Sequence, residues 1–314
     1  MLKRLLLITL FYGSWAFAQK PAEISIISDN DLYTSTVNDQ YYTNGIEFIY
    51  RYLGTSRREN VAKKITEFRV SQYMYNPQSP QAGDININDR PFAGYLFAQA
   101  GINTFYNNES VLKLYVQAGV VGPESGAEII QKALHKIAHY KPVDGWQYQI
   151  TTTPAAQVGA FYSRKIFAEK YHENVDFHLQ AEAMAGTIWN SATLGALSRI
   201  SLKGALKNIS SSAMYNATLE ADRDNYKGRR ELFIFLNPKL QYMAFDATIL
   251  GSPFNDKSPV TFPLIPFRFN AEAGVKYGHN KWNYSFSFNY RGKELKNDVI
   301  TGYYYGSIQL GYLF

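Results

Sequence analysis

Residues 267–291 read FRFNAEAGVKYGHNKWNYSFSFNYR. Phe267, Phe269, Ala271, Ala273, Val275 and Tyr277 share one parity. Arg268, Asn270, Glu272, Gly274 and Lys276 share the other. After the turn signal GHN the alternation restarts, with Trp282, Tyr284, Phe286, Phe288 and Tyr290 against Asn283, Ser285, Ser287, Asn289 and Arg291. A period of two marks a strand whose faces meet different surroundings. The stretch VLKLYVQAGV at 111–120 repeats the pattern, with Leu112, Leu114, Val116, Ala118 and Val120 on its apolar side.

A soluble sandwich alternates as well. Three features favour a membrane barrel. The strands run to about 10 or more residues, as a tilted bilayer-spanning strand requires. Their apolar faces carry aromatics near the ends, where interfacial girdles sit. The last strand, YYYGSIQLGYLF, aligns Ile308, Leu310, Tyr312 and Phe314 on one face, and a terminal aromatic of this kind resembles the assembly signal of outer-membrane barrels. Closure would also remove exposed edges and satisfy the backbone in lipid. The expected fold is all-β: a twelve-stranded antiparallel transmembrane β-barrel with one short helix in an external loop. Its strands are placed near 23–28, 44–54, 65–76, 92–105, 111–121, 147–163, 174–186, 193–203, 230–249, 264–278, 281–293 and 303–314. An even count puts both ends on the periplasmic side and the loops at 29–43, 77–91 and 122–146 outside. The stretch 204–229 is long for a periplasmic turn.

The chain begins MLKRLLLITLFYGSWAFAQK. A basic start, a short apolar run and AFA before Gln19 have the layout of a secretory signal peptide over residues 1–18, cut after Ala18. A membrane anchor is the alternative, and the apolar run is short for one. The expected division is therefore a signal at 1–18 and a single barrel domain at 19–314. The 314 residues include no cysteine, so an exported chain of this kind does not rely on disulfides. The net charge of +6 is mild, and no basic block or nucleic-acid motif accompanies it. Aromatics make up 16% of the chain, yet past the signal no apolar run approaches a spanning helix.

The stretch GPESGAEIIQKALHKIAHYKPVDGW, residues 122–146, breaks the period-two pattern. Ser125 precedes Glu128 by three residues, the spacing of a capping box. Ile129, Ile130, Ala133, Leu134 and Ile137 then form one broad face, and Pro142 and Gly145 end the helix. Gln131 and His135, four apart, stack on the adjoining face. Taken alone, His135 is either a functional group or an exposed polar residue of an amphipathic helix. His135 and His139 have helical spacing but lack the glutamate of a zinc-protease motif. In the loop SDNDLYTSTVNDQYYTNG, Asp29, Asn30, Asp31, Asp39, Thr43 and Asn44 offer hard oxygen ligands of the type calcium prefers. The same residues also make ordinary polar turns, and the spacing is not that of a helix–loop–helix calcium hand. No G-x-S-x-G elbow occurs.

In combination, NDLY at 30–33, YYTNG at 41–45, NDRPFAGYL at 88–96, GPESGAEIIQKALHKI at 122–137 and GWQYQI at 145–150 resemble the lipid A 3′-O-deacylase family of outer-membrane enzymes. The resemblance covers the first half of the mature chain by motif. It implies a twelve-stranded barrel, expected to be monomeric, acting on lipid A of lipopolysaccharide in the bacterial outer membrane. It also implies Ca2+ as cofactor and a site between the barrel wall and a helix of an external loop. The family's catalytic histidine falls on His135, its Asn-Asp pair on Asn30 and Asp31, its threonine on Thr43 and its helical glutamine on Gln131. Asn30 and Asp31 would hold the metal. Lys132, Lys136, Lys141 and Arg90 are expected to meet phosphates or sugars of the substrate, with a structural role as the alternative for Arg90 and its neighbour Asp89 in the NDRPFAG motif. Two positions depart from the family pattern: Lys141 stands where the family has a glutamate, and the loop before Asp89 lacks a matching lysine. The chemistry implied is attack on an ester by water, with His135 as general base, and no nucleic acid is involved. The rival functions are an outer-membrane phospholipase using a Ser–His pair and a non-catalytic barrel or porin.

Overall fold

The structure is a computed structural model, and it describes residues 20–34, 41–78, 82–139, 143–167, 173–299 and 301–314. The expected signal peptide, Asp39, Lys141, Pro142 and His172 lie outside the described residues. Twelve strands follow one another around a closed antiparallel barrel: β1 (Ala22–Asn30), β2 (Tyr41–Gly54), β3 (Val61–Asn76), β4 (Ala93–Tyr106), β5 (Ser110–Val121), β6 (Thr153–Ile166), β7 (Val175–Gly186), β8 (Trp189–Lys203), β9 (Arg230–Asp246), β10 (Phe267–His279), β11 (Trp282–Gly292) and β12 (Gly302–Leu313). β1 pairs with both β2 and β12, with Glu23 opposite Leu313 and Asn30 opposite Gly306. Every strand therefore has two neighbours and no edge is left open.

Alternation sorts the side chains as the sequence implies. Ile24, Ile26, Phe48, Phe68, Val70, Leu114, Val116, Phe286 and Ile308 all point outward and stand exposed. So large an apolar surface is unfavourable in water, at roughly 25 cal/mol per Å². Inward positions are largely buried and include many polar groups beside apolar ones such as Ile49 and Phe97. Arg51 is held by Glu67 (2.6 Å) and Glu23 (2.8 Å), and Arg69 by Glu47 (2.7 Å) and Glu67 (2.9 Å). Glu47, Glu67 and Arg69 border an internal cavity of about 550 Å³.

The long connection 204–229 is no simple turn. It folds back and closes the barrel end where the chain termini lie. Tyr215 reaches Ser163 (2.9 Å) and Gln180 (2.7 Å), Thr218 accepts from Asn283 (2.8 Å), and Asn216 accepts from Gln309 (2.9 Å). Ile209, Met214, Ala217, Leu219 and Tyr226 pack there against Ile65, Phe105, Phe233 and Leu313 from the wall.

Several boundaries differ from the sequence reading. Residues 147–152 do not extend β6, because Trp146–Tyr148 forms a 3-10 turn that buries Trp146 against Phe92. Residues 247–249 do not extend β9. Asp246 instead caps a single helical turn, α2 (Ala247–Leu250), its side chain accepting from Thr248 N at 3.0 Å. At the same rim β1 runs on through Asp29 and Asn30, and β2 already includes Tyr41–Thr43, so these residues sit on strand ends rather than in a free loop.

Candidate active site

The helix α1 (Ala127–Ala138) starts differently from the predicted capping box. Its N-cap is Gly126, at φ 72°, and Pro123–Ser125 forms a 3-10 turn before it. Ser125 Oγ donates to Gly122 O at 2.6 Å. Glu128 does not reach back to a cap. It pairs with Lys132 at 2.6 Å, and this contact raises the lysine's proton affinity above the ordinary range. The helix ends at His139, whose left-handed backbone (φ 57°) lets its N–H close on His135 O and Lys136 O.

Where α1 sits follows from one close approach. Tyr95 points into the barrel, bonded to Gln117, so Gly94 faces outward. A Cβ on Gly94 would lie 2.2 Å from Ser125 Oγ and 2.3 Å from Ala127 Cβ. The first turn of α1 thus rests on the outer surface of the wall, and only glycine permits it. One turn on, Gln131 Oε1 accepts from Trp146 Nε1 (2.6 Å), and Gln131 Nε2 donates to Asn76 Oδ1 on β3 (3.3 Å). Met74, Phe92, Ala127 and Trp146 form a small apolar cluster beneath. The seam therefore passes from β4 at Ala127 to β3 at Gln131. Four helical residues rise about 6 Å, and strands lie about 4.8 Å apart. His135, the next residue on that face, is half-buried.

The rim of β1 and β2 carries the other sequence-selected groups. Asn30, Asn44, Met74 and Gly94 are successive register partners across four strands, so they lie at one level. Thr43 is the extra residue of a β-bulge, between the pairs Tyr42–Tyr75 and Asn44–Met74. Bulges re-aim side chains near the rims of barrels. Thr43 Oγ1 is buried and meets no hydrogen-bond partner among the described residues. Asn30 caps the 3-10 turn Asp31–Tyr33, its Oδ1 accepting from Leu32 N at 2.8 Å, and Asp31 is buried. A calcium ion takes carboxylate, amide and hydroxyl oxygens. Asp31, Asn30 and the unpartnered Thr43 hydroxyl fit that donor set, although no group of three or more His, Asp or Glu side chains among the described residues is placed to hold a metal.

The predicted substrate cations divide. Lys132 and Lys136 are exposed on one flank of α1. Arg90 is fully buried. It donates to Thr248 Oγ1 at 3.0 Å, approaches Glu294 at 3.7 Å and stacks over Tyr75 with its carbon 4.3 Å from the ring centre. It joins loops inside the rim, and no surface there is open to a headgroup. Its neighbour Asp89 accepts from Tyr41 OH (2.9 Å) and from Gln78 N (3.0 Å), so it too ties β2 to the 77–92 loop.

Sequence reasoning did not single out Gln72 or the network of Asn76 with Trp146. Gln72 lies on the strand face that alternation reserves for apolar residues, and that misplaced polarity was the available signal. The apolar residues of α1 are the reverse case: Ile129 and Ile137 are 74% and 77% exposed. They do not pack on the rim.

Comparison with solved structures gives a match to LpxR from Salmonella typhimurium, at TM-score 0.73 and 18% identity, over 93% of this chain and 100% of that one. A match to the β domain of the Bordetella autotransporter BrkA has TM-score 0.46 and 11% identity, over 94% of this chain and 99% of that one. Curated proteins yield no match. The family model described as Outer membrane protein LpxR matches residues 5–314. The match spans the second half of the chain as well as the motif-bearing first half, and the closed barrel agrees with it. This chain belongs to the LpxR family of bacterial outer-membrane proteins.

Proposed function

We propose that the protein is a calcium-dependent ester hydrolase that removes 3′-linked acyl chains from lipid A in the outer leaflet, with His135 activating water. The observation that carries this reading is the position of α1. It lies on the lipid-facing side of the wall, and its buried seam pairs Gln131 with Asn76 on β3 near the β2 bulge. A cleft between α1 and the wall, inferred from this seam, would be polar at the rim and apolar below, and would suit a molecule with a polar head and acyl tails. A substrate already in the leaflet would enter it sideways.

In the proposed reaction the imidazole of His135 takes a proton from water as the water oxygen adds to the ester carbonyl. Collapse of the tetrahedral intermediate breaks the bond to the sugar oxygen, which takes the proton back. The products are a free fatty acid and a sugar hydroxyl. The Thr43 hydroxyl positions the water or the ester, and Gln131 holds α1 at its distance from β3. Calcium bound by Asp31 and the Asn30 side-chain oxygen would supply a Lewis acid to polarise the carbonyl. Lys132 and Lys136 face the solvent side and would meet phosphate or sugar groups, with Lys141 as a further candidate.

Two rivals are less well supported. A Ser–His phospholipase would need a histidine open to lipid, but His178 faces the lumen, fully buried, 3.2 Å from Asp176. A porin would need an open lumen, and the 204–229 segment closes one end. Mass spectrometry of lipid A from cells expressing wild type or His135→Ala tests the proposal. Loss of the 3′-linked chains only with wild type, and its suppression by chelation of calcium, is the expected result. Identical lipid A from both strains would refute it.

A further inference from the structure

On the outward face of β3, burial changes abruptly toward the rim. Phe68 and Val70 are 44% and 52% exposed, whereas Gln72 is 4% exposed and Met74 and Asn76 are covered. Met74 and Asn76 are accounted for by the α1 seam, through the apolar cluster and the Gln131 hydrogen bond. Gln72 is the covered position farthest from the rim on this face. Both atoms of its amide, Oε1 and Nε2, are buried and meet no hydrogen-bond partner among the described residues. Its register partners are Ile46 and Leu96, and its neighbours along the same face are Val70 and Met74.

An unpartnered buried amide costs about 1–3 kcal/mol. Water is a poor remedy here. An ordered buried water needs about two to four polar partners, and the flanking side chains at this position are apolar. A ligand that is apolar along most of its length but carries one polar substituent would satisfy the amide. We propose that Gln72 is a substrate-positioning residue whose amide binds a hydroxyl or ester oxygen on the acyl chain, a few bonds beyond the scissile carbonyl. The spacing agrees. At about 3.4 Å per residue, Gln72 lies about 7–10 Å below the Thr43 bulge, and the glutamine side chain spans part of that gap. The inference rests on the deacylase reading for its substrate, but the recognition it describes is separable from catalysis.

The probes are 3-hydroxytetradecanoic acid and tetradecanoic acid, titrated calorimetrically into the full-length barrel at fixed micelle concentration. Wild type is expected to bind the hydroxylated acid about tenfold more tightly. Gln72→Leu and Gln72→Met are expected to bind both acids alike, at the affinity wild type has for the plain acid. Their urea unfolding should be unchanged or shifted to higher urea, since each removes an unpaired polar group. In deacylation, both variants should raise KM with little change in kcat. Equal binding of the two acids by wild type, or a preference that survives in both variants, would overturn the proposal. Repeating the titration in His135→Ala separates it from the catalytic reading. Unaltered lipid A with wild type would defeat hydrolysis, while the binding preference would still decide the role of Gln72.

Discussion

Gln131 shows how one side chain can couple a helix to a wall. It accepts from Trp146 and donates to Asn76, and all three are buried. In Gln131→Leu the indole N–H loses its partner, at about 1–3 kcal/mol, and the link to Asn76 is lost. Limited proteolysis within 122–152 is expected to quicken, and deacylation to fall about tenfold, while the barrel keeps its heat-modifiable mobility on gels. His135→Ala should instead lose activity by a factor of about 10²–10⁴, the usual worth of a general base, with no change in proteolysis. Seen in sequence, His135 and Gln131 were a pair four apart on one helix face. The sequence could not indicate which of them would be buried, because that depends on the wall beneath.

The helix α1 has three flanks, and their arrangement fits a membrane interface. Its seam, Ala127 and Gln131, faces the wall. Ile129, Ile130, Leu134 and Ile137 stand exposed on one side, and Glu128, Lys132 and Lys136 occupy the other. An amphipathic helix normally buries its apolar face in protein. Here a small seam does the docking and leaves the apolar flank for lipid. Contact with the wall hinges on Gly94. In Gly94→Val the new side chain would occupy the space of Ser125 Oγ and Ala127 Cβ. The barrel should still assemble, but α1 should lift away and deacylation drop at least tenfold. A variant with wild-type activity would show that α1 does not need this contact. The periodicity of α1 was legible in the sequence. The capping box was not a reliable guide, because Gly126 at φ 72° took the cap position.

For the whole molecule, closure and the internal polar network act together. Arg51, Glu23 and Glu67 are buried in the lumen. Removing one member of such a cluster leaves charge unpaired, at about 3–5 kcal/mol. Arg51→Met is therefore expected to unfold at distinctly lower urea than wild type, as read by gel mobility. The segment 204–229 makes the lumen a blind cavity. Wild type should show no steady conductance in planar bilayers. Replacing residues 205–228 with a short Gly-Ser turn should produce an open, weakly selective pore, given the mixed charge of the lumen. Steady conductance by wild type would contradict the plug.

The sequence by itself determined that the chain is a barrel, with about twelve strands, one amphipathic helix and an outward apolar surface. Period-two alternation is local, and each strand reports its two environments independently of its partners. It also marked His135, Asn30, Asp31, Thr43 and Gln131 as candidates through motif and order. Only the tertiary structure decided that α1 lies outside the wall rather than over the lumen. It likewise decided that Arg90 is internal, that 204–229 closes one end of the lumen, and that Gln72 is covered without a partner among the described residues. Each of these depends on contacts between residues far apart in the chain, set by strand register and by the absence of a Cβ at Gly94. No local pattern of residues encodes such distances.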